Sequence, residues 1–253
     1  MTFTLSPQLA LVFMLIFARV GAILMLMPAL GEQSIPARLR LSFALALTFM
    51  LYPLLSAKYG DVPASLGRVI VLFGTELVIG LAIGFSMRLV LSALQVAGSA
   101  ISMQLSLSFA ESVDPTQGQH SMLLSNFLTV TAITLIFATD LDHVAIAGLV
   151  DSYQLFEPGR IPSPGDFSMM AIQTITESFR IGVQIAAPFI VFGLIFQLGL
   201  GVLSRLMPQI QIYFIAMPAS IALGFLVLFL LIGTIMTWYL GYVETVFGRF
   251  VAP

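Results

Sequence analysis

The 253-residue chain has no cysteine and only two histidines. Without cysteine it forms no disulfide framework, no thiolate zinc site and no iron–sulfur cluster, and it has no cysteine nucleophile. Two histidines are too few for most metal centres. The sequence also lacks a Ser-His-Asp arrangement, a paired-carboxylate site and a glycine loop for phosphate. It therefore predicts neither an enzyme nor a bound metal or cofactor.

Charge is also scarce. Charged residues make up 9% of the chain and hydrophobic residues 59%, whereas soluble domains have about 25% and about 45–50%. So few charges cannot cover the surface of a soluble monomer, and lipid or other proteins must cover much of it. The ten basic residues are scattered, which excludes the concentrated basic patch of a nucleic-acid-binding protein.

Long apolar stretches dominate what is present. Six of them approach the length of about 20 residues that a membrane helix needs, and strand-like alternation is missing. We therefore predict an all-α, multi-helix integral membrane-associated protein with helical hairpins. The third stretch is too long for one straight span, so it either breaks or continues beyond the bilayer. The stretches cover residues 8–30, 41–57, 69–107, 122–138, 181–203 and 209–240.

Prolines lie in or beside these stretches. A proline removes a backbone donor from a helix, and the freed carbonyl needs another partner. The pattern therefore predicts broken helices, and residues 157–166, which are rich in proline and glycine, predict a loop. The prolines concerned are Pro28, Pro36, Pro188, Pro208 and Pro218.

Three charges lie inside apolar stretches, Arg19, Glu76 and Arg88. An unpaired charge facing lipid is costly, so we expect the side chains of Arg19 and Glu76 to be buried against protein partners. Basic residues outside the stretches divide almost evenly between the two sides, which gives no clear orientation. These features argue against six ordinary spans. Gly80 and Gly84 form a GxxxG pattern, which predicts close packing of two helices.

A polar stripe follows in the third stretch, with spacings of four and three residues. On a helix these residues share one face. The stripe indicates either the wall of a water-filled conduit or small polar residues that hold helices together, and periodicity alone leaves both open. Its members are Arg88, Ser92, Gln95, Ser99, Ser102 and Ser106.

Three strings resemble the FliR family of the bacterial flagellar type III export gate, whose injectisome counterpart is a close relative. The resemblance covers nearly the whole chain, with the strings in the family's order and spacing. They read Gln33-Ser-Ile-Pro-Ala-Arg-Leu-Arg-Leu41, Met103-Gln-Leu-Ser-Leu-Ser-Phe-Ala-Glu-Ser-Val-Asp-Pro115 and Ser204-Arg-Leu-Met-Pro-Gln-Ile-Gln-Ile212.

The resemblance implies a fusion of two smaller gate subunits. Residues 1–185 would correspond to a FliP-like region and residues 186–253 to a FliQ-like helical hairpin. Family members assemble with FliP and FliQ copies into a closed cone, much of which stands above the inner-membrane plane. Unfolded flagellar proteins pass through its centre.

The resemblance also implies a plug. The family's channel loop corresponds to residues 104–119, with Phe109 at the aromatic plug position. Some relatives carry a second aromatic residue where this chain has Ser112, which makes the predicted plug less bulky. The polar stripe leads directly to this loop, which favours its conduit interpretation. The predicted gate residues are Ser108, Phe109, Ala110, Ser112 and Val113.

The resemblance thus implies a non-enzymatic export-gate subunit in the inner membrane and the flagellar basal body, contacting lipid but no nucleic acid. Implied partners are FliP-like and FliQ-like subunits, the export proteins FlhB and FlhA, and the secreted flagellar proteins. Three alternatives remain: an injectisome subunit, a small-molecule secondary transporter, and a gate scaffold that never touches substrate. A transporter should show two similarly broken halves, and no internal repeat is evident.

Overall fold

The computed structural model describes residues 7–32, 35–60, 65–108, 123–160, 163–207 and 212–251. Within these ranges the regular structure is entirely helical, which confirms the predicted all-α fold. A 3-10 turn, Ser56–Tyr59, follows the second helix. The α-helices are α1 (Pro7–Leu26), α2 (Ala37–Leu55), α3 (Leu66–Gln104), α4 (Leu123–Ala138), α5 (Leu141–Leu155), α6 (Pro164–Leu206) and α7 (Ile212–Gly248).

Three helices are longer than a bilayer is thick. α3, α6 and α7 have 39, 43 and 37 residues, or about 55–65 Å at about 1.5 Å per residue. The hydrocarbon core is about 30 Å thick. Among the described residues, five helices are long and apolar enough to cross a membrane, or six if α4 and α5 count as one span. The third apolar stretch therefore continues as one helix beyond the length that a bilayer requires.

The fourth apolar stretch is not an ordinary span. α4 has only 16 residues, about 24 Å, and the chain bends by 75° between α4 and α5. Asp140 lies at the bend with a φ of 57°, a left-handed conformation that interrupts a right-handed helix. This bend is the broken helix of the described structure.

The fifth stretch begins earlier than predicted. α6 starts at Pro164, not near residue 181, and the predicted loop over 157–166 ends three residues sooner. Proline is well suited to the first position of a helix, where its missing N–H has no partner to lose. Ser163 occupies the preceding position, and its carbonyl accepts from the amides of Asp166 and Phe167. Local start signals therefore outweigh the low hydropathy of this segment.

The prolines mostly do not break helices. Pro188 and Pro218 lie inside α6 and α7, which continue through them. Pro28 follows the end of α1, Pro36 precedes α2, and Pro208 lies outside the described residues. Each internal proline removes one backbone hydrogen bond, and the packing of a long helix tolerates that loss.

The chain divides into two compact units. The first contains Met1–Val90, Ile136–Ile175 and Val243–Pro253. In it α1 and the first half of α3 run in the same direction, because contacts advance along both helices together: Gly80 packs near Arg19 and Gly84 near Ile23. The second unit contains Leu91–Leu135 and Thr176–Tyr242.

In the second unit, α4 and α6 pack closely on the C-terminal half of α3. A Cβ atom on Gly182 would lie 2.7 Å from the carbonyl oxygen of Ala93, and one on Gly98 would lie 2.5 Å from Ser125 Cα. Both distances are shorter than any real contact, so only glycine permits this approach. The hydroxyls of Ser178 and Tyr242 join α6 to α7 at 2.8 Å.

Large apolar surfaces remain uncovered on α2, α6 and α7. In the most apolar 18-residue segment of each of these helices, only 17%, 22% and 28% is buried within the chain, respectively. Phe49, Met50 and Phe229 each expose three quarters or more of their area. Surfaces of this extent require lipid or partner proteins. The chain is a membrane protein.

Candidate functional site: a buried ion pair and the polar face of α3

Two glycines bring α1 and α3 into close contact. A Cβ atom on Gly80 would lie 2.7 Å from the carbonyl oxygen of Arg19, and one on Gly84 would lie 2.9 Å from the Cβ of Leu26. Only the missing side chains allow the two backbones to approach this closely. The GxxxG pattern therefore packs two helices of the same chain.

This contact encloses a buried ion pair. Arg19 Nε lies 2.5 Å from Glu76 Oε2, and both side chains are fully buried. Glu76, Gly80 and Gly84 follow one another at intervals of four residues, so the carboxylate and the two glycines face α1 together. Pairing offsets the cost of removing each charge from water.

Arg19 also binds the end of α5. Its Nη1 donates to the carbonyl oxygens of Ser152 and Phe156, at 3.1 and 3.0 Å. Its guanidinium carbon lies 4.1 Å from the ring centroid of Tyr153. The last carbonyls of a helix lack partners within the helix and carry its partial negative charge. One arginine therefore joins α1, α3 and α5.

One face of α3 is apolar in the first half of the helix and polar in the second half. Ile70, Leu77 and Leu81 are exposed on this face in the first half. In the second half the face carries the polar stripe, with Gln95 exposed. All these positions on the helix lie within about 80° of one another at 3.6 residues per turn. The first half suits lipid or an apolar partner, and the second suits water or a polar partner.

Members of the polar stripe differ in exposure. Gln95 is exposed, Ser92, Ser99 and Ser106 are half-buried, and Ser102 is only 4% exposed. The Ser99 hydroxyl donates to the Val96 carbonyl at 2.9 Å, and the Ser102 hydroxyl has no hydrogen-bond partner among the described residues. Only part of the stripe is therefore accessible from outside the chain.

Arg88 begins the stripe and lies half-buried beside the end of α1. Its Nη1 donates to the carbonyl oxygen of Gly31 at 3.5 Å, which makes a long and weak hydrogen bond. Arg88 comes four residues after Gly84, so it continues the line of α3 residues that faces α1.

The helical backbone is interrupted directly after α3. Ser106 has a φ of 60°, and its amide donates to the Met103 carbonyl at 3.3 Å, as at a left-handed helix C-terminus. Ser108 is exposed. The other predicted gate residues, Phe109, Ala110, Ser112 and Val113, lie outside the described residues.

We predict that Ser106 tolerates glycine and not valine. The left-handed conformation costs an L-residue about 1–2 kcal/mol, and a β-branched side chain fits it worst. Ser106→Gly should keep or raise the unfolding midpoint of the purified protein, and Ser106→Val should lower it. Equal midpoints for the two variants would contradict a left-handed Ser106.

A cluster of acidic residues outside these features is too exposed for us to assign it as a metal site. Asp140, Asp142 and His143 come together at the bend between α4 and α5. The His143 Nδ1 atom lies 3.6 Å from Asp140 Oδ1, but these side chains are 74% and 81% exposed. Solvent surrounds both groups, and exposed acidic clusters are common without an ion. We assign no metal to it.

Comparison with known sequences decides the family. A flagellar biosynthetic protein FliR from Caulobacter vibrioides is 46% identical over 225 residues, which cover 88% of this chain and 90% of that protein. A sequence model of bacterial export proteins, family 1, matches residues 10–246. The chain belongs to the FliR family.

More distant FliR proteins align over similar lengths. That of Escherichia coli is 32% identical over 207 residues, covering 81% of this chain and 78% of the relative. That of Bacillus subtilis is 28% identical over 222 residues, covering 85% and 84%. The residues of the buried ion pair, the glycine contact and the polar stripe all lie within residues 10–246, the range that the model of bacterial export proteins, family 1, matches.

Proposed function

We propose that this FliR-family chain is a non-enzymatic subunit of the flagellar type III export gate. In this proposal it forms part of a closed channel for unfolded flagellar proteins. The face of α3 is the observation that carries the proposal. A lipid-facing helix would stay apolar along its length, whereas this face becomes polar for the half that leads to the predicted plug.

The exposed apolar helices support assembly with other subunits. In α2, α6 and α7, most of the most apolar 18-residue segment is not buried within the chain. A subunit of a helical ring has different neighbours on its two sides. We propose FliP-like and FliQ-like subunits as these neighbours, with FlhB and FlhA alongside, in the inner membrane of the basal body. The proposed FliQ-like region, residues 186–253, contains the second half of α6 and all of α7.

A buried ion pair at membrane depth fits a structural role. Arg19 and Glu76 are bound to each other, and Arg19 also binds carbonyl groups of α5. A transporter site would offer polar groups to a bound solute near the midplane. In this chain the pair is enclosed by its own helices, which favours a gate subunit over a small-molecule transporter.

Crosslinking tests the proposal. A photoreactive residue placed at Gln95 or Ser99 should capture a flagellar substrate stalled during export, because both side chains reach the proposed channel. The matched control is Leu81, which lies on the same face of α3 in its apolar half. Capture at Leu81 equal to that at Gln95 and Ser99, or no capture at any of them, would contradict the channel assignment and favour a scaffold.

A further inference from the structure

A glycine of α7 receives the buried side chain of the residue directly after α3. Leu105 is fully buried, and Gly224 is buried opposite it. A Cβ atom on Gly224 would lie 2.8 Å from both Cγ and Cδ1 of Leu105. The leucine therefore occupies the space that any side chain at position 224 would need. We call this contact the Gly224 notch.

The neighbouring residue is held in the same way by α6. A Cβ atom on Gly193 would lie 3.1 Å from both Cβ and Cδ of Gln104. Gln104 is the last residue of α3, and Leu105 follows it directly before the left-handed Ser106. Two helices thus fix the end of α3 through two glycines.

The start of α4 faces the same part of α7. An apolar cavity of about 380 Å³ lies between the end of α3, the start of α4 and α7. Leu107 lines it directly after Ser106, and Leu123 lines it as the first residue of α4. Both ends of the segment 108–122 therefore adjoin α7. The lining residues are Leu107, Leu123, Leu124, Phe127, Phe225, Leu228, Phe229 and Ile232.

We propose that Gly224 is a positioning residue that sets where the end of α3 and the start of α4 lie. The proposal rests on the proposed function for its consequence, because the predicted plug loop, residues 104–119, belongs to the segment that connects α3 to α4. Leu105 itself fills the notch, so a side chain at position 224 meets Leu105 first. A side chain at position 224 must displace the side chain of Leu105, the residue directly before Ser106 and Leu107.

The test uses the complete complex with its co-expressed partners. Gly224→Val is compared with Gly233→Val, because Gly233 lies on the same helix and a Cβ atom there meets nothing within 4 Å. Since the natural chain has no cysteine, spin labels at Ser108→Cys and Thr237→Cys report the distance between the end of α3 and α7. Ion leak across the membrane is measured on the same variants without labels.

Gly224→Val should shift the distance between the labels and raise the leak several-fold, while Gly233→Val changes neither. Shortening the opposing side chain with Leu105→Ala should restore both values in the double variant. If Gly224→Val prevents assembly, Gly224→Ala takes its place in the same comparison.

An unchanged distance in an assembled Gly224 variant would overturn the proposal, and so would failure of Leu105→Ala to restore it. A shifted distance without any leak would support the positioning role and contradict the gate function on which its consequence rests. The two hypotheses therefore fail in distinguishable ways.

Discussion

Replacing Arg19 by alanine should destabilise the protein more than any surface substitution. The change leaves the Glu76 carboxylate buried without its partner, since both side chains are fully buried. Breaking a buried pair from one side typically costs about 3–5 kcal/mol, a large part of the roughly 5–15 kcal/mol that holds a typical protein folded. Arg19→Ala also removes the donor to two carbonyls of α5.

The measurement is the unfolding midpoint and the yield of the complex in detergent. Arg160→Ala is the matched control, because Arg160 is exposed and an exposed substitution usually changes stability by less than about 0.5 kcal/mol. Arg19→Lys should fall between the two, because an ammonium cannot reproduce the planar fork that binds a carboxylate and carbonyls together.

A double variant separates charge pairing from packing. Arg19→Met with Glu76→Leu removes both charges and keeps most of the volume, and such replacements are often neutral or stabilising. The double variant should therefore recover much of the stability that Arg19→Ala loses. If it is no more stable than Arg19→Ala, the pairing of these two charges does not explain their burial.

The sequence predicts which segments are helical better than it predicts where each helix begins and ends. Hydropathy predicts α1, α2, α3 and α4 within a few residues, because each is apolar for most of its length, but it ends the last stretch at residue 240 whereas α7 continues to Gly248. It missed the start of α6, where Ser163 and Pro164 begin a helix in polar sequence. It also missed the bend at Asp140, whose left-handed backbone has no signal in a hydropathy pattern.

The packing partners could not be predicted from one sequence. The sequence indicates that Arg19 and Glu76 need partners, because an isolated charge at membrane depth is costly. It does not show that they pair with each other, since they lie 57 residues apart. The partners of Gly193 and Gly224 could not be predicted either. Glycine in an apolar helix predicts close packing, but only the structure shows that both glycines face the end of α3.

The sequence predicts that the polar stripe lies on one face of α3, but it does not predict which residues of the stripe are exposed. Helical periodicity places its residues on one side of α3. Gln95 is exposed, whereas Ser102 is buried, because other parts of the chain cover the second residue and leave the first uncovered. Which residues of a stripe reach a channel is thus a property of tertiary packing.

Phe109→Ala should let ions or small solutes cross the inner membrane through an assembled complex. The family resemblance implies that Phe109 is the plug residue, and in the sequence it follows the polar stripe and precedes Glu111 and Asp114. An apolar constriction closes a pore by excluding water, so its closure depends on apolar bulk. Phe109→Leu is the matched control, because leucine keeps much of that bulk and should preserve closure.

Complex yield and membrane leak must be measured together, because Phe109 has a second possible role. If its ring packs in a protein core, removing it should cost about 3–5 kcal/mol, and Phe109→Ala would then prevent assembly. Normal assembly without leak would contradict the plug assignment, and loss of assembly would favour the core role. Leak through a normally assembled Phe109→Ala complex, absent in Phe109→Leu, is the result that the gate function requires, because an apolar ring that only filled a core could not open a path for ions while the complex stayed intact.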